Sequence, residues 1–410
     1  MSDPREISIE EYSYPLPDER IAQFPVANRD ESKLMIAKGE RIHQDVFYNI
    51  ADYLPKDSLI IFNDTKVIRA RMLFHKATGA RIEVFILEPV QPTAEVQNAF
   101  QVQASCTWKC FVGNAKKWKQ GSLELEFEHL GKKVILKAQK GDAVGNAHLV
   151  HFSWSPEQLT FSDILMHSGS IPLPPYMHRQ TNADDVERYQ TIYARHQGSV
   201  AAPTAGLHFT DRVMQSLKQH NIQNDYLSLH VGAGTFKPVS SANMGEHEMH
   251  TEQVLIRKET LIALLKKDYK SLIVVGTTTT RTLESLYWYG IKLLKNPEAE
   301  FKITQWEAYE SDEHLKISPQ ESLSAVLDYM QRNNLEILQG ETQIIIAPSY
   351  KYKLVDVLIT NFHQPKSTLL LLVAAFYGNN WRKAYDFALE NDFRFLSYGD
   401  SCLFFRNNHQ

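Results

Sequence analysis

Several short stretches of this chain carry residues able to move a proton or hold an anion. "AAPTAGLHFT" (201–210) turns at Pro203 and Gly206, presents His208, and leads into a helix-like run behind Thr210. The positive end of a helix disfavours a second positive charge, so His208 is expected to be neutral and able to accept a proton. The rival expectation is an imidazole that only hydrogen-bonds the helix end. "FNDTKVIRAR" places Asn63, Asp64, Thr65, Lys66, Arg69 and Arg71 directly after an apolar strand. "LHVGAGTFKPV" carries His230 in a strand and then Gly232 and Gly234 around Ala233. It lacks the third glycine of the dinucleotide fingerprint, and Pro238 blocks a helix, yet its amides can face an anion or a carboxylate. "VGTTTTRTLES" sets Thr277 to Thr280 at a helix N-terminus beside Arg281, which suits a phosphate, a carboxylate or plain helix capping. "TNFHQPKST" wedges Asn361, His363 and Lys366 between two apolar runs.

Metal chemistry has less support. "HEMHTE" offers His247, His250 and Glu252, but no helical pattern puts both imidazoles on one face. Cys106 and Cys110 lack a second pair to complete a site, and with Cys402 they are too few for a disulfide framework. Two other stretches look toward nucleic acid. "IPLPPYMHR" ends in His178 and Arg179, and "ERYQTIYA" carries Arg188, Tyr189 and Tyr193. Arginine beside tyrosine serves phosphate pairing and base stacking. The lysines of "NAKKWK" and "KYK" could extend such a patch or simply be solvated.

These stretches must be positioned by a scaffold. The chain has 410 residues, 43% hydrophobic and 22% charged, with a net charge of −4. That is ordinary for a soluble globular protein, and it confines any nucleic-acid contact to a local patch. The N-terminus is acidic and has no apolar core segment, so it does not read as a signal peptide. The longest apolar run, Leu369 to Tyr377, falls far short of the about 20 residues of a membrane span. A soluble, cytoplasmic protein is expected.

From about Met72 to Trp154 the chain alternates with period two in "RIEVFIL", "FQVQASC", "SLELEFEHL", "KKVILKA" and "HLVHFSW", with a hairpin turn on Gly131 and no helical period. From Phe161 onward strands alternate with helices. "SLIVV" leads into a helix expected to close at Gly290. "SPQESLSAVLDYMQRNN" opens with a capping box on Ser318 and Glu321, "TQIIIA" and "VDVLIT" read as strands, and Ser367 caps "TLLLLVAAFYG". The expectation is an α/β protein: a large mixed α/β catalytic domain, residues 1–71 and 158–410, with an inserted small antiparallel β-barrel, residues 72–157.

Read in order, "YSYPLPDERIAQFP", "FNDTKVI", "IPLPPY", "ERYQTIYA", "GSVAAPTAGLHFT", "LHVGAGTFKPV", "HEMHTE", "VGTTTTRTLES", "LITNFHQPKSTLLLLV" and "FLSYGD" resemble the S-adenosylmethionine:tRNA ribosyltransferase-isomerases of queuosine biosynthesis over almost the whole chain. The resemblance implies a large α/β domain with an inserted small barrel. It implies transfer and isomerisation of the ribosyl part of S-adenosylmethionine onto 7-aminomethyl-7-deazaguanine at the tRNA wobble position. The product is epoxyqueuosine, with adenine and methionine released. The chain departs from the family pattern at Arg69, where proline is usual, at Ser349, where glycine is usual, and at Thr279 and Thr280, where Ser-Val is more common.

That reaction needs a base for the acidic C5′ hydrogens beside the sulfonium, an acid for the leaving adenine, and a base for the substrate amine. The expected players are His208, His230, His250, Glu252, Asp64, Asp356 and His363. Thr204, Gly206, Gly232, Gly234, Thr277, Thr278 and Arg281 are expected to bind S-adenosylmethionine, and Arg179, Arg188, Tyr189 and Lys366 the tRNA. No metal and no membrane partner are expected, and a monomer is. Two other functions fit the residues: a catalytically silent tRNA-binding paralogue, and a metal-dependent hydrolase built on "HEMHTE".

Overall fold

The computed structural model describes residues 3–76, 78–232, 239, 241–310 and 317–406. A ten-stranded mixed sheet forms its centre. Four adjacent parallel strands matter most: β1 (Leu59–Asn63), β2 (Gln223–His230), β3 (Leu272–Val275) and β4 (Val357–Asn361), in the spatial order β2-β1-β3-β4. β1, β3 and β4 are buried along their whole length. Helices cover both faces, which is why these strands read as continuous apolar runs rather than alternating ones. Parallel pairing also sends all four carboxyl ends to one edge of the sheet, where ligands of α/β proteins bind.

Helix α1 (Thr277–Lys295) follows β3, and α2 (Thr368–Tyr377) follows β4 with Ser367 as N-cap. α1 does not close at Gly290. It runs on, because a Cβ at that glycine would collide with the backbone of Ser322 on the helix Pro319–Arg332, and the missing side chain lets the two helices touch. That second helix does open with the Ser318–Glu321 capping box. Glu284 in α1 is fully buried, accepting from the Tyr350 hydroxyl and from the amides of Lys353, Leu354 and Val355. "TQIIIA" is not a strand. The neighbouring strand is Ile337–Thr342, and Ile344 to Ala347 run on buried outside any strand, with the Ile345 amide donating to the Gln305 carbonyl at 3.2 Å.

A seven-stranded sheet, antiparallel throughout, carries the alternating segments, running from Arg71–His75 to Ala147–Ser155 with Gly169–Ser170 added at one edge. It curls until Arg71–His75 meets Ser122–His129. Its inward face buries Cys106, Trp108 and Cys110 at alternate positions of one strand, so this cysteine spacing belongs to strand packing. Part of "FQVQASC" is helical: Val96–Gln101 forms a single short helix, too brief to register as a period. Leu130 and Gly131 both have positive φ, the signature of a tight hairpin turn. Among the described residues no helix is long and apolar enough to cross a membrane.

Candidate functional site

The loops singled out in the sequence meet at one edge. β1 ends at Asn63 and runs into Asp64, β2 ends at His230, β3 runs into Gly276–Thr278, and β4 ends at Asn361 before His363. A cavity of about 90 Å3 lies over the ends of β3 and β4, lined by Ala201–Ala205, Val231, Gly276–Thr278, Thr360–Gln364 and Ser367–Leu369. The N-termini of both α1 and α2 open into it. Gly276 has φ +90°, a conformation that L side chains rarely adopt, and it makes the turn into α1.

Only part of the threonine run faces this space. Thr277 and Thr278 line the cavity, while Thr279 and Thr280 turn their hydroxyls back onto the carbonyls of Val275 and Gly276 at 2.6 and 3.1 Å. Arg281 points elsewhere. It forms a buried ion pair with Glu252 and donates to the Ile344 carbonyl. Both residues were expected at the site, and they lie together away from the cavity lining. Thr204 lines the cavity, but Gly206 does not: a Cβ there would collide with the Tyr193 hydroxyl. The space that Gly206 leaves is filled by protein.

The histidines are more constrained than their sequence setting suggests. His208 is buried, and burial pushes its pKa down to about 3, with Arg394 and Arg29 nearby. Its Nε2 lies 3.1 Å from the Asn361 amide nitrogen and its Nδ1 2.7 Å from the Ser32 hydroxyl. His230 repeats the arrangement, with Nε2 3.1 Å from the Gln97 amide nitrogen and Nδ1 2.9 Å from the Thr65 hydroxyl. Burial, and then His196, hold His230 down to about 4. Its ring occupies the place of a side chain at Gly198, where a Cβ would stand 2.5 Å from Nδ1. His363 is also buried and pushed down to about 3, with Nε2 3.0 Å from the Thr360 hydroxyl.

Asp64 differs from these. Burial lifts its carboxyl above the usual range, against a hydrogen bond donated by Ser228 and against His196, whose Nε2 stands 3.8 Å away. His196 is partly exposed, and its type and spacing gave no signal in the sequence. Beside this pair opens a second cleft of about 480 Å3, lined by Arg29, Lys66, Arg69, Gln190 and Gln197 together with apolar Val67, Leu165, Met166 and Ile192.

The other expected residues fall outside this constellation. Asp356 sits just before the amino end of β4 and holds Arg406 at 2.9 Å. His250 is exposed, and Gly234 lies outside the described residues. Gly232 is half-buried, and a Cβ there would meet nothing within 4 Å. Arg179 makes two 2.7 Å bonds to buried Asp185, Arg188 donates to the carbonyls of Val26 and Ala27, Tyr189 is fully buried, and Lys366 pairs with Glu10 at 2.7 Å. All four are engaged by protein groups or packed inside. Among the described residues no group of three or more His, Cys, Asp or Glu side chains converges as a metal site would.

Comparison with known proteins gives the same picture from end to end. A family model described as "Queuosine biosynthesis protein" matches residues 9–404. The S-adenosylmethionine:tRNA ribosyltransferase-isomerase of Halothermothrix orenii is 37% identical over 97% of this chain and 99% of its own length. Relatives with the same name from Rickettsia bellii and Aromatoleum aromaticum are each 36% identical over 98% of this chain and 99% of theirs. A solved S-adenosylmethionine tRNA ribosyltransferase from Thermotoga maritima is 28% identical over 96% of this chain and 99% of that one, at a TM-score of 0.45, too loose an overlay to carry an argument about the fold. With a family model spanning nearly all of its length and relatives matched almost end to end, this chain belongs to the queuosine biosynthesis protein family.

Proposed function

We propose that the chain transfers and isomerises the ribosyl part of S-adenosylmethionine onto the aminomethyl group of 7-aminomethyl-7-deazaguanine in tRNA, releasing adenine and methionine. The observation that carries this reading is the meeting of four chemically unusual loops at the carboxyl ends of β1 to β4, in a chain of this family. The methionyl carboxylate takes the small cavity, where first-turn amides of α1 have no intrahelical acceptor and the helix dipole favours an anion. The aminomethyl base enters the larger cleft, whose apolar wall suits an unstacked base and whose rim, with Arg29, Lys66 and Arg69 against one carboxylate, Glu187, is net cationic for its phosphates. The inserted sheet is assigned to residues 72–157 as a unit of its own.

Proton transfer falls to the Asp64–His196 pair. The sulfonium acidifies the C5′ hydrogens, and a carboxylate held above its usual pKa by burial is a stronger base once ionised. The Nε2 lone pairs of His208 and His230 are occupied by amide donors, which leaves those two rings to position rather than to abstract. S-Adenosylmethionine is a co-substrate, the protein acts as a monomer in the cytoplasm, and no metal takes part.

The test is direct. Incubation with S-adenosylmethionine and tRNA bearing the aminomethyl base should release adenine and methionine in equal amounts, with chelator making no difference. Equal release with unmodified tRNA, or none with the modified tRNA, rejects the proposal. Release that stops with chelator and returns with zinc or manganese would favour a metal enzyme instead.

A further inference from the structure

The short helix Val96–Gln101 lies between two strands of the seven-stranded sheet. It turns Val96, Ala99 and Phe100 into that sheet's core, where Phe100 stacks on Trp108 at 5.4 Å. Three glutamines join it to the ten-stranded sheet. Gln253 donates to the Ala94 carbonyl at 3.2 Å and Gln339 to the Glu95 carboxylate at 2.9 Å, while Gln97 reaches the other way. The Gln97 amide nitrogen donates to the Gln197 carbonyl at 2.5 Å and to Nε2 of His230 at 3.1 Å. The Gln197 carbonyl can only accept, so nitrogen and oxygen of this amide cannot be exchanged. One N–H goes to each partner. Nε2 of His230 therefore accepts, and Nδ1 carries the ring's proton and donates to the Thr65 hydroxyl at 2.9 Å. That hydroxyl is left to donate to the His196 carbonyl at 3.4 Å.

We propose that Gln97 is a positioning residue for the reaction: one amide fixes the backbone carbonyls of His196 and Gln197 and so sets the distance from the His196 ring to Asp64. The inference rests on the proton-transfer role given above to Asp64 and His196.

Of that pair, His196 is the member that needs holding. Asp64 is 2% exposed, and the Ser228 hydroxyl donates to its carboxyl. The His196 side chain is 44% exposed, so its ring goes where its backbone takes it. The strand His196–Ser199 pairs with Thr65–Val67 but loses register between Gln197 and Ser199. The ladder alone does not fix the chain at that break, and the bonds from Gln97 and Thr65 hold it there. Both links of the longer arm are buried, Thr65 at 0% and His230 at 6% exposure, where a hydrogen-bonded chain has few other arrangements. Gln97 does not line the 480 Å3 cleft, whereas Gln197 does, so Gln97 acts through protein groups and not on substrate. Because its helix is packed into the core of the seven-stranded sheet, the placing of that sheet is read out at the proton-transfer pair.

The test follows adenine release by the full chain, from S-adenosylmethionine with tRNA bearing the aminomethyl base, as a function of pH. Gln97→Met keeps the length of the side chain and removes both donors. Its kcat should fall on the order of tenfold to a hundredfold, the cost of a reacting group misplaced by about an ångström, with KM for S-adenosylmethionine unchanged. His196 lowers the Asp64 carboxyl against burial, so a His196 that drifts away lets it rise. The acidic limb of the rate profile should then move to higher pH by about one unit, the scale for a charge pair near 4 Å. Arg195, Arg257, Tyr193 and Tyr226 also face Asp64 and are left in place by the substitution. Gln339→Ala loosens the same helix without touching either carbonyl, and its kcat and acidic limb should match the parent's. If Gln97→Met does not fold by thermal melt, Thr65→Val, which removes the hydroxyl of the longer arm, should move the limb in the same direction. An acidic limb that stays put in the folded variant, or one that Gln339→Ala moves equally, overturns the assignment and leaves Gln97 as a docking contact. A folded parent that releases no adenine with the modified tRNA overturns the function itself.

Discussion

Arg281 and Glu252 hold each other inside the protein, 6% and 3% exposed, with the guanidinium reaching the carboxylate and the Ile344 carbonyl at once. Both belong to stretches whose residue types suggest ligand binding, and their pairing removes both charges from the site. A buried ion pair adds little net stability when intact, but breaking it leaves a charge alone in a poor solvent.

Glu252→Gln or Arg281→Met should therefore destabilise the fold by about 3–5 kcal/mol. Affinity for S-adenosylmethionine in the folded fraction should stay unchanged. Urea denaturation and ligand titration separate the two effects. A variant as stable as the parent that has lost ligand binding would return these residues to the site.

The neutral histidines make the protein sensitive to acid. His208, His230 and His363 have pKa values pushed down to about 3, 4 and 3 by burial, against 6.5 when unfolded. Below pH 6.5 the unfolded chain takes up protons that the native state refuses. Stability is thus fully present above 6.5 and falls as pH drops toward 4, by about 1.4 kcal/mol per pH unit for each histidine. Asp64 and Glu284, both raised by burial, work in the opposite direction but are two groups against three histidines. Thermal melts between pH 7 and 4.5 should show a steep decline, and a flat profile down to pH 5 would contradict the neutral assignment.

Ser349 has φ +88°, where a side chain is strained and glycine is not. Ser349→Gly should raise stability by about 1 kcal/mol, the relief of local strain less the extra freedom glycine adds to the unfolded chain. No gain in the midpoint of urea denaturation would mean that the surroundings have already relaxed around the serine.

Lys66 is exposed at the mouth of the larger cleft. Lys66→Glu should weaken tRNA binding and lower the log–log salt slope by about 0.7–0.9 for the lost phosphate contact, with S-adenosylmethionine affinity preserved. Arg179→Met should instead lower stability, because it strands Asp185, which is 2% exposed. If filter binding shows Arg179→Met weakening tRNA in a fully stable protein and Lys66→Glu doing nothing, the interface lies on the Arg179 side.

Local signals were legible. The capping box at Ser318, the N-cap at Ser367, the Gly131 turn and four of the five alternating segments depend on residues close in sequence, and the structure keeps them, while "FQVQASC" is helical at its start. The loops at the site were also readable, because polar residues between apolar strands have few other uses. What each side chain does there was not readable. His208 finds Ser32 and Asn361 at separations of 176 and 153 residues, and Arg281 finds Glu252 at 29. No period or spacing encodes such meetings. The same holds for Gly206 and Gly290, whose missing side chains are answered by Tyr193 and Ser322. His196 went unnoticed because its importance comes from Asp64, which a parallel pairing of Thr65–Val67 with His196–Ser199 brings alongside.

The clamped imidazoles of His208 and His230 bear on how relatives of this chain are compared. Each ring fills a buried slot that asks for one donor and one acceptor set at a fixed angle, and few other side chains meet that demand. Descendants that lost the reaction but kept the fold would still carry histidine at both places. Invariance at these two positions would record the needs of the architecture, and it would persist in a lineage where catalysis had disappeared. A loss of function would be written first at Asp64 and His196, where the surrounding packing asks for less than the chemistry does.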